Sequence, residues 1–134
     1  MVEQKMTLLL DTTFLIEVLR RSPKSIARLQ RIVTASNELH TSTINLAEVY
    51  AGVRDSELRY TNAFLSEIHA FDVTPEIAQR GGLLRNSLLR KGKTRDLDDM
   101  LVAATALEYG LHLVTENRKD FEGAGVMFYD ESDI

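Results

Sequence analysis

Short apolar runs alternate along this chain with longer segments in which apolar residues recur at helical spacing. The run from Met6 to Leu10 is too short for a helix and predicts a buried strand. Pro23 and Thr74-Pro75 are typical of helix starts, and a fourth helix is predicted over roughly 57–69. Further short strands are predicted at 39–41, 70–73, 111–115 and 126–129. The alternation predicts an α/β fold, with a central parallel sheet of four to five short strands flanked by helices.

One helix of this pattern, predicted over 100–109, is apolar on nearly every side and must therefore be buried. Three carboxylates, Asp96, Asp98 and Asp99, stand at its entrance. Because the helix dipole favours acids in the first turn, we interpret Asp96 and Asp98 as capping residues. Asp99 differs because it directly precedes the buried face, where a carboxylate without a partner is costly. Asp99 is therefore a candidate functional residue.

Two further acids occupy unusual positions. Asp11 directly follows the first strand, and Glu48 is the only charge in an apolar helix predicted from Ile44 to Tyr50. Taken singly, Asp11 could cap the first helix and Glu48 could face solvent. In parallel sheets, however, ligands bind outside the carboxyl ends of the strands, where Asp11 and the segment 115–117 both lie. The acidic helix start lies at the opposite end of the sheet unless that helix crosses the sheet obliquely, and sequence spacing leaves both arrangements open.

Convergence of Asp11, Glu48 and Asp99 would have a chemical consequence. At separations of about 5 Å and an effective dielectric near 20, each pair of like charges repels by roughly 3 kcal/mol. A marginally stable domain would need a cation to offset that repulsion. Oxygen ligands without His or Cys select a hard ion, Mg²⁺ or Mn²⁺. The chemistry this allows is metal-assisted hydrolysis of a phosphate ester.

The composition of the chain excludes several classes of protein. The chain has 134 residues, and we expect a single domain over 1–134. It has no cysteine, which excludes a disulfide framework and a thiol nucleophile, and no apolar run approaches the length of a membrane span. No signal peptide is recognisable, so we expect a cytoplasmic protein. The net charge is −4, so nucleic-acid binding would need a local basic patch.

Two local basic groups are present. The segment 85–95 contains five basic residues and no acid, and a second group follows the first helix. Both could be solvated helix ends, or they could contact phosphates beside a metal site. The candidate RNA-binding residues of the first group are Arg85, Arg90, Lys91, Lys93 and Arg95, and the second group consists of Arg20, Arg21 and Lys24.

Three pieces of the sequence, LLLDTTFLIEVL, TSTINLAEVYAGV and DDMLVAATALEYGLHLVTENRKDF, occur in an order and at a spacing that resemble the PIN domain family. Within it, the chain resembles the VapC toxins of VapBC toxin–antitoxin pairs. The resemblance implies a PIN-like three-layer fold and an Mg²⁺- or Mn²⁺-dependent ribonuclease. It implies that Asp11 and Asp99 are direct metal ligands, and that Glu48 is the second acid of the site. It also implies that the start of the helix at 100–109 does reach the strand-end site.

The resemblance extends to the segment after Thr115, whose hydroxyl would orient a water or a carboxylate. Where many relatives carry a fourth acid, this chain has Asn117, which would act directly or through ordered water. Asp120 could substitute for that acid or could be a surface residue. The family also implies a VapB-type antitoxin as partner and a homodimer. Tyr50, Tyr60 and Phe64 could belong to such contacts or to the core.

Three other interpretations remain at this stage. A PIN-like domain could have lost catalysis and serve as an RNA- or protein-binding module, or it could be a nuclease of RNA processing rather than a toxin. An aspartate-phosphorylating or phosphatase domain would need a second acid at the end of the first strand. Here Asp11 is followed by Thr12 and Thr13, which argues against that class.

Overall fold

The computed structural model describes residues 6–35 and 37–130. Five strands and six helices alternate along them. The strands are β1 (Thr7–Leu10), β2 (Glu38–Ser42), β3 (His69–Phe71), β4 (His112–Val114) and β5 (Met127–Phe128). The helices are α1 (Thr12–Leu19), α2 (Pro23–Thr34), α3 (Thr43–Ala51), α4 (Leu58–Leu65), α5 (Pro75–Arg90) and α6 (Leu97–Tyr109). Two short 3₁₀ turns cover Asp55–Glu57 and Arg118–Phe121.

The strands form one parallel sheet in the order β3-β2-β1-β4-β5. The central strand β1 pairs with β2 on one side and with β4 on the other, so that Leu9 lies between His40 and Leu113. Parallel strands place all their carboxyl ends at one edge of the sheet. Asp11, Thr43 and Thr115 each follow one of these strand ends, and the predicted α/β class is confirmed.

Alternating side chains of β1 divide the core into two halves. Leu8 and Leu10 pack with residues of α1, α2 and α4, whereas Leu9 packs with residues of α5 and α6. The sheet is therefore covered by helices on both faces, as a three-layer fold requires. Within the described residues, no helix is long and apolar enough to cross a bilayer.

Helix α6 lies unusually close to α5 because Gly81 leaves no side chain between them. A Cβ at Gly81 would lie 3.1 Å from both Leu101 Cα and the Met100 carbonyl oxygen. At its other end, α6 stops at Gly110, which adopts a left-handed conformation with φ of 65°. The Leu111 N–H then bonds back to the Ala106 carbonyl at 2.8 Å, and the chain enters β4. These two glycines fix the depth and the length of α6.

The predicted strand ends differ from the observed ones by one or two residues, and the predicted end of the fourth helix is wrong. The fourth helix was expected over 57–69 but ends at Leu65, and β3 begins at His69 rather than at residue 70. The helix must end early because Ile68 is buried in the core and His69 pairs with His40 of β2. A helical pattern in the sequence does not reveal that its last residues are needed as an edge strand.

Candidate active site

Asp11 lies at the centre of a network at the carboxyl edge of the sheet. The residue is only 6% exposed, and although it begins α1 its side chain makes no capping hydrogen bond. Its two oxygens accept hydrogen bonds from Thr115 Oγ1 at 2.7 Å and from Asn45 Nδ2 at 3.2 Å. Burial raises the pKa of Asp11 despite these two donors, which lower it. Asp11 is thus held between β4 and α3 by side-chain contacts.

The first turn of α3 orients this network. The Asn45 backbone N–H donates to Ser42 Oγ at 3.3 Å and the Ser42 backbone N–H donates to Asn45 Oδ1 at 3.3 Å, which forms a reciprocal cap. Ser42 Oγ also donates to Asn45 Oδ1 at 2.6 Å. The cap fixes the amide so that Asn45 Nδ2 donates to Asp11 and, at 2.9 Å, to Thr12 Oγ1. Asn45 is fully buried, so its orientation is set entirely by these partners.

Glu48 lies one helical turn after Asn45 and joins the same network. Its Oε1 accepts a hydrogen bond of 2.7 Å from Thr12 Oγ1. Partial burial raises the pKa of Glu48, Thr12 lowers it, and the charges of Asp98 and Asp11 raise it further. Glu48 is therefore not a residue of the solvated face, because its carboxylate is within electrostatic reach of Asp11.

Asp99 shows that the start of α6 reaches the same edge of the sheet. Burial and the charges of Asp11 and Asp120 raise the pKa of Asp99 to about 7, and Asp96 and Glu48 act in the same direction. Helix α3 packs against α6, which places the start of α6 beside the helix that carries Glu48. The charges of Asp11 and Glu48 thus act on Asp99, although the three residues belong to separate elements.

Asp96 and Asp98 lie at the start of α6, as expected for acids that the helix dipole favours: Asp96 is the N-cap and Asp98 is in the first turn. The Asp96 carboxylate accepts no capping hydrogen bond, so the capping box expected there does not form. Both residues are exposed, and their charges also act on Glu48.

The segment after β4 forms the other side of the site. Thr115 Oγ1 donates to Asp11 and accepts the Asn117 backbone N–H at 3.0 Å, so Thr115 orients a carboxylate as the family resemblance implies. The Asn117 side-chain amide donates to Thr13 Oγ1 at 3.1 Å and ties this segment to α1. The exposed Asp120 acts electrostatically on both Asp11 and Asp99. Asp120 is thus an acid of this segment whose charge reaches both Asp11 and Asp99.

Two of the candidate RNA-binding residues are already used within the fold. Arg85 Nε donates to the Arg95 carbonyl at 3.0 Å, and the Arg95 guanidinium donates to the Glu122 carbonyl at 3.1 and 3.3 Å. These bonds hold the loop that leads into Asp96. Arg90, Lys91 and Lys93 are exposed at the end of α5 and in the turn that follows it.

A different basic surface opens directly beside the site. We call it the basic groove; it has a volume of about 660 Å³. It is lined by Lys24, Arg28 and Arg31 of α2 and by the segment Thr115, Glu116, Asn117, Arg118, Lys119 and Asp120. Of its basic residues, only Lys24 belongs to a group that the sequence singled out.

Sequence reasoning also missed Asn45, Thr12 and Ser42, which position the two acids. Asn45 carried a usable signal, because a polar amide three residues after Ser42 fits a capping box and precedes Glu48 by one turn. Thr12 carried no comparable signal, since a threonine after a strand is ordinary. In the part of the chain that the structure describes, no three His, Asp or Glu side chains form a ready-made metal cage.

Comparison with known families decides the class of the protein. The profile of the PIN domain family matches residues 8–125, which is most of the chain. The chain belongs to the PIN domain family. Asp11, Asp99 and the network around them lie within the matched residues and therefore within the PIN domain.

Individual relatives place this PIN domain among VapC proteins, as the sequence resemblance indicated. It is 34% identical over 113 residues to "Ribonuclease VapC19" of Mycobacterium tuberculosis, covering 84% of this chain and 90% of that protein. It is 34% identical over 119 residues to "Ribonuclease VapC2" of Haemophilus influenzae, covering 85% and 89%. A solved structure of VapBC2 from Rickettsia felis, bound to a DNA fragment from its promoter, matches with a TM-score of 0.78 and 25% identity, covering 93% of this chain and 100% of that chain.

Proposed function

We propose that this PIN domain, over its whole length of 1–134, is a metal-dependent endoribonuclease that hydrolyses RNA phosphodiester bonds. One observation carries the proposal. Asp11 and Glu48 lie in one hydrogen-bonded network at the carboxyl edge of the sheet, joined through Asn45 and Thr12, and their charges together with burial raise the pKa of Asp99 to about 7. Two similar proteins are named ribonucleases, which supports RNA as the substrate.

A divalent ion fits this site by the chemistry of its donors. The side chains that act on Asp99 are all carboxylates, which suit Mg²⁺ or Mn²⁺. Asp11 and Asp99 would hold the ion directly, and Glu48 would do so directly or through water. Mg²⁺ commonly uses one or two carboxylates and keeps several waters, so it does not need a complete protein cage. When bound, such an ion supplies Lewis-acid stabilisation of the phosphate and a water of lowered pKa.

The residues around the acids prepare them for this role. Asn45 and Thr115 each donate one hydrogen bond to Asp11, which fixes its carboxylate while leaving lone pairs on both oxygens. Thr12 holds Glu48 in the same way. Such preorganisation means that the acids need not reorient when substrate arrives. Asp99 must release its proton before it can bind a cation, so with a pKa near 7 cation binding at neutral pH releases protons and weakens as pH falls.

We further propose that Asp120 provides the fourth acid of the site in place of Asn117. Its charge acts on Asp11 and Asp99, whereas the Asn117 amide is engaged with Thr13. Asn117 then keeps a positioning role, because its backbone N–H holds the Thr115 hydroxyl that contacts Asp11. This division explains how the site can retain its negative charge without an acid at residue 117.

The decisive experiment measures cleavage of a labelled single-stranded RNA with Mg²⁺ or Mn²⁺ and again with EDTA. We expect EDTA to abolish cleavage and Asp99→Asn to lower it by about 10²- to 10³-fold, since it removes charge from the centre of the site. Asp120→Asn should lower it by roughly 10- to 100-fold, as for an outer partner of a metal site. Asp72→Asn, an exposed acid outside the site, is the matched control and should cleave like the wild type. Cleavage that persists in EDTA would refute the metal-dependent mechanism.

We also propose that this nuclease is the toxin of a toxin–antitoxin pair. The similar structure from Rickettsia felis is a VapBC complex, which supports a VapB-type antitoxin as a partner. Tyr50 and Tyr60 are 38% and 40% exposed and could contact a partner chain or a second copy in a homodimer, whereas Phe64 packs on the core. The cytoplasmic location stays a prediction. A binding module without catalysis is the second candidate, and it would bind RNA in the same assay without cleaving it.

A further inference from the structure

The basic groove shares one wall with the acidic site. Thr115 contacts Asp11, Asn117 supports Thr115, and Asp120 acts electrostatically on Asp99; all three also line the groove. A chain lying in the groove would therefore continue into the site without crossing another element. The groove has a volume of about 660 Å³, and its far wall is α2.

The floor of the groove holds two arginines in fixed positions. Arg28 bonds to Glu116 Oε1 at 3.1 Å and to the Tyr129 carbonyl at 3.4 Å. Arg118 bonds to the same Tyr129 carbonyl at 3.2 Å and lies over the Phe128 ring at 5.0 Å. Arginines held in this way lose little further conformational freedom when an anion binds.

The rim of the groove carries two lysines of a different kind. Lys24, near the start of α2, and Lys119, in the 3₁₀ turn after Asn117, are both exposed. Within residues 6–35 and 37–130, neither side chain forms an ion pair with another described residue. With Arg28, Arg31 and Arg118 they bring five basic residues to a surface that also carries Glu116, which pairs with Arg28, and Asp120, on a chain whose net charge is −4.

We propose that the basic groove binds the phosphate backbone of the RNA on one side of the scissile bond. The inference rests on the proposed nuclease function and adds the path by which substrate enters the site. None of the nine lining residues is aromatic, so the groove offers no surface on which bases would stack. Binding there is electrostatic, positions the RNA without reading its sequence, and offsets the repulsion between phosphates and the acidic site.

The groove is a better candidate than the basic segment 85–95. In that segment, Arg85 and Arg95 donate to backbone carbonyls and hold a loop. Lys91 and Lys93 remain exposed but do not line the groove that opens beside Thr115. The two surfaces thus make competing predictions, and each contains a pair of exposed lysines that can be neutralised.

The test compares Lys24→Gln/Lys119→Gln with Lys91→Gln/Lys93→Gln, which remove the same charge from the two surfaces. Cleavage of a labelled single-stranded RNA is followed in Mg²⁺, and binding of the same RNA is followed by fluorescence anisotropy in EDTA over a range of salt concentrations. We expect Lys24→Gln/Lys119→Gln, called the groove pair, to raise KM by roughly tenfold with kcat unchanged. The same variant should reduce the slope of log Kd against log salt by about 1.4, or about 0.7 for each lost phosphate contact. The Lys91/Lys93 pair should match the wild type in both assays.

Several results would overturn the groove proposal while leaving the nuclease function intact. In each the wild type cleaves RNA, but the groove pair is unaffected or the Lys91/Lys93 pair has the larger effect. Normal RNA cleavage with lost inhibition by a co-expressed antitoxin would assign the groove to a protein partner instead. If the wild type binds RNA through the groove lysines without cleaving it, the proposed function fails and the groove stands. If the wild type neither binds nor cleaves RNA, both proposals fail.

Discussion

Asp99 links the chemistry of the site to the stability of the protein. Its pKa of about 7 in the folded chain compares with an ordinary value of 3.8, so between about pH 4 and 7 the folded chain binds a proton that the unfolded chain has released. The free energy of unfolding must therefore fall as pH rises through this window. Because Asp99 is only partly buried, we discount the full shift and expect a loss of about 2 kcal/mol in the metal-free protein.

Chemical denaturation in EDTA at several values of pH measures this effect. Asp99→Asn should flatten the decline and should be more stable than the wild type at about pH 8, although it is the variant expected to lose activity. The Asp72→Asn control should keep the wild-type profile. An Asp99→Asn profile that declines as steeply as the wild type would show that another group is responsible.

The roles of single residues were only partly predictable from the sequence. Asp11, Glu48 and Asp99 could be singled out because a charge beside or within an apolar element is expensive unless it has a use. Asn45 could not be singled out with the same force, because a neutral amide at the start of a helix is ordinary. Its value emerges only when β1 and α3 are packed and its Nδ2 lies 3.2 Å from Asp11. Such contacts join residues distant in sequence, and no local pattern records them.

At the scale of elements, the packing of α5 on α6 determines where Asp99 lies. Gly81→Ala would place a Cβ 3.1 Å from the backbone of Leu101, two residues after Asp99. Backbone atoms cannot rotate out of the way, so α6 must shift. We expect a loss of about 1 to 3 kcal/mol in the free energy of unfolding. Cleavage should also fall under conditions in which the variant remains folded, because the shift moves the acidic start of α6.

The neighbouring glycine provides the matched control. A Cβ at Gly82 would meet nothing within 4 Å, and both glycines lie in α5. Gly82→Ala should therefore stabilise the protein by up to about 1 kcal/mol through helix propensity and leave cleavage unchanged. Denaturant midpoints and cleavage rates of the two variants test the argument. Equal stability of the two variants would mean that the close contact at Gly81 has no energetic consequence.

The helices and strands themselves were largely predictable, whereas the end of the sheet at which α6 starts was not. Short apolar runs such as Leu8–Leu10 and helix starts such as Thr74-Pro75 are local signals, and the structure confirms both. The start of α6 could have lain at either end of the sheet as far as spacing showed. The family resemblance implied the correct end, and the physical cause is the packing of α6 against α3 and α5. Crossing angles depend on which side chains meet, such as Gly81 and Leu101, and not on periodicity.

At the scale of the whole molecule, an acidic site and a basic groove meet at one edge of the sheet, and Asp120 belongs to both. The acids Asp11, Glu48, Asp99 and Asp120 act on one another, while the basic groove begins at the same segment, Thr115–Asp120. A phosphodiester chain needs both surfaces, since one attracts the phosphates and the other holds the ion that acts on them. Neither surface is expected to be sufficient alone.

This division predicts how the protein should behave in a cell. If it is a toxin, expression of the wild type should arrest bacterial growth, and Asp99→Asn should not, because it retains the basic groove but loses the site.

Lys24→Gln/Lys119→Gln keeps the site and should arrest growth only at higher expression, since a roughly tenfold rise in KM lowers turnover when RNA is limiting. Co-expression of a cognate VapB-type antitoxin should relieve the arrest. Growth curves at graded induction, with protein levels matched by immunoblot, measure the outcome. Equal arrest by Asp99→Asn would separate toxicity from RNA hydrolysis, and normal growth with an active nuclease would indicate RNA processing instead.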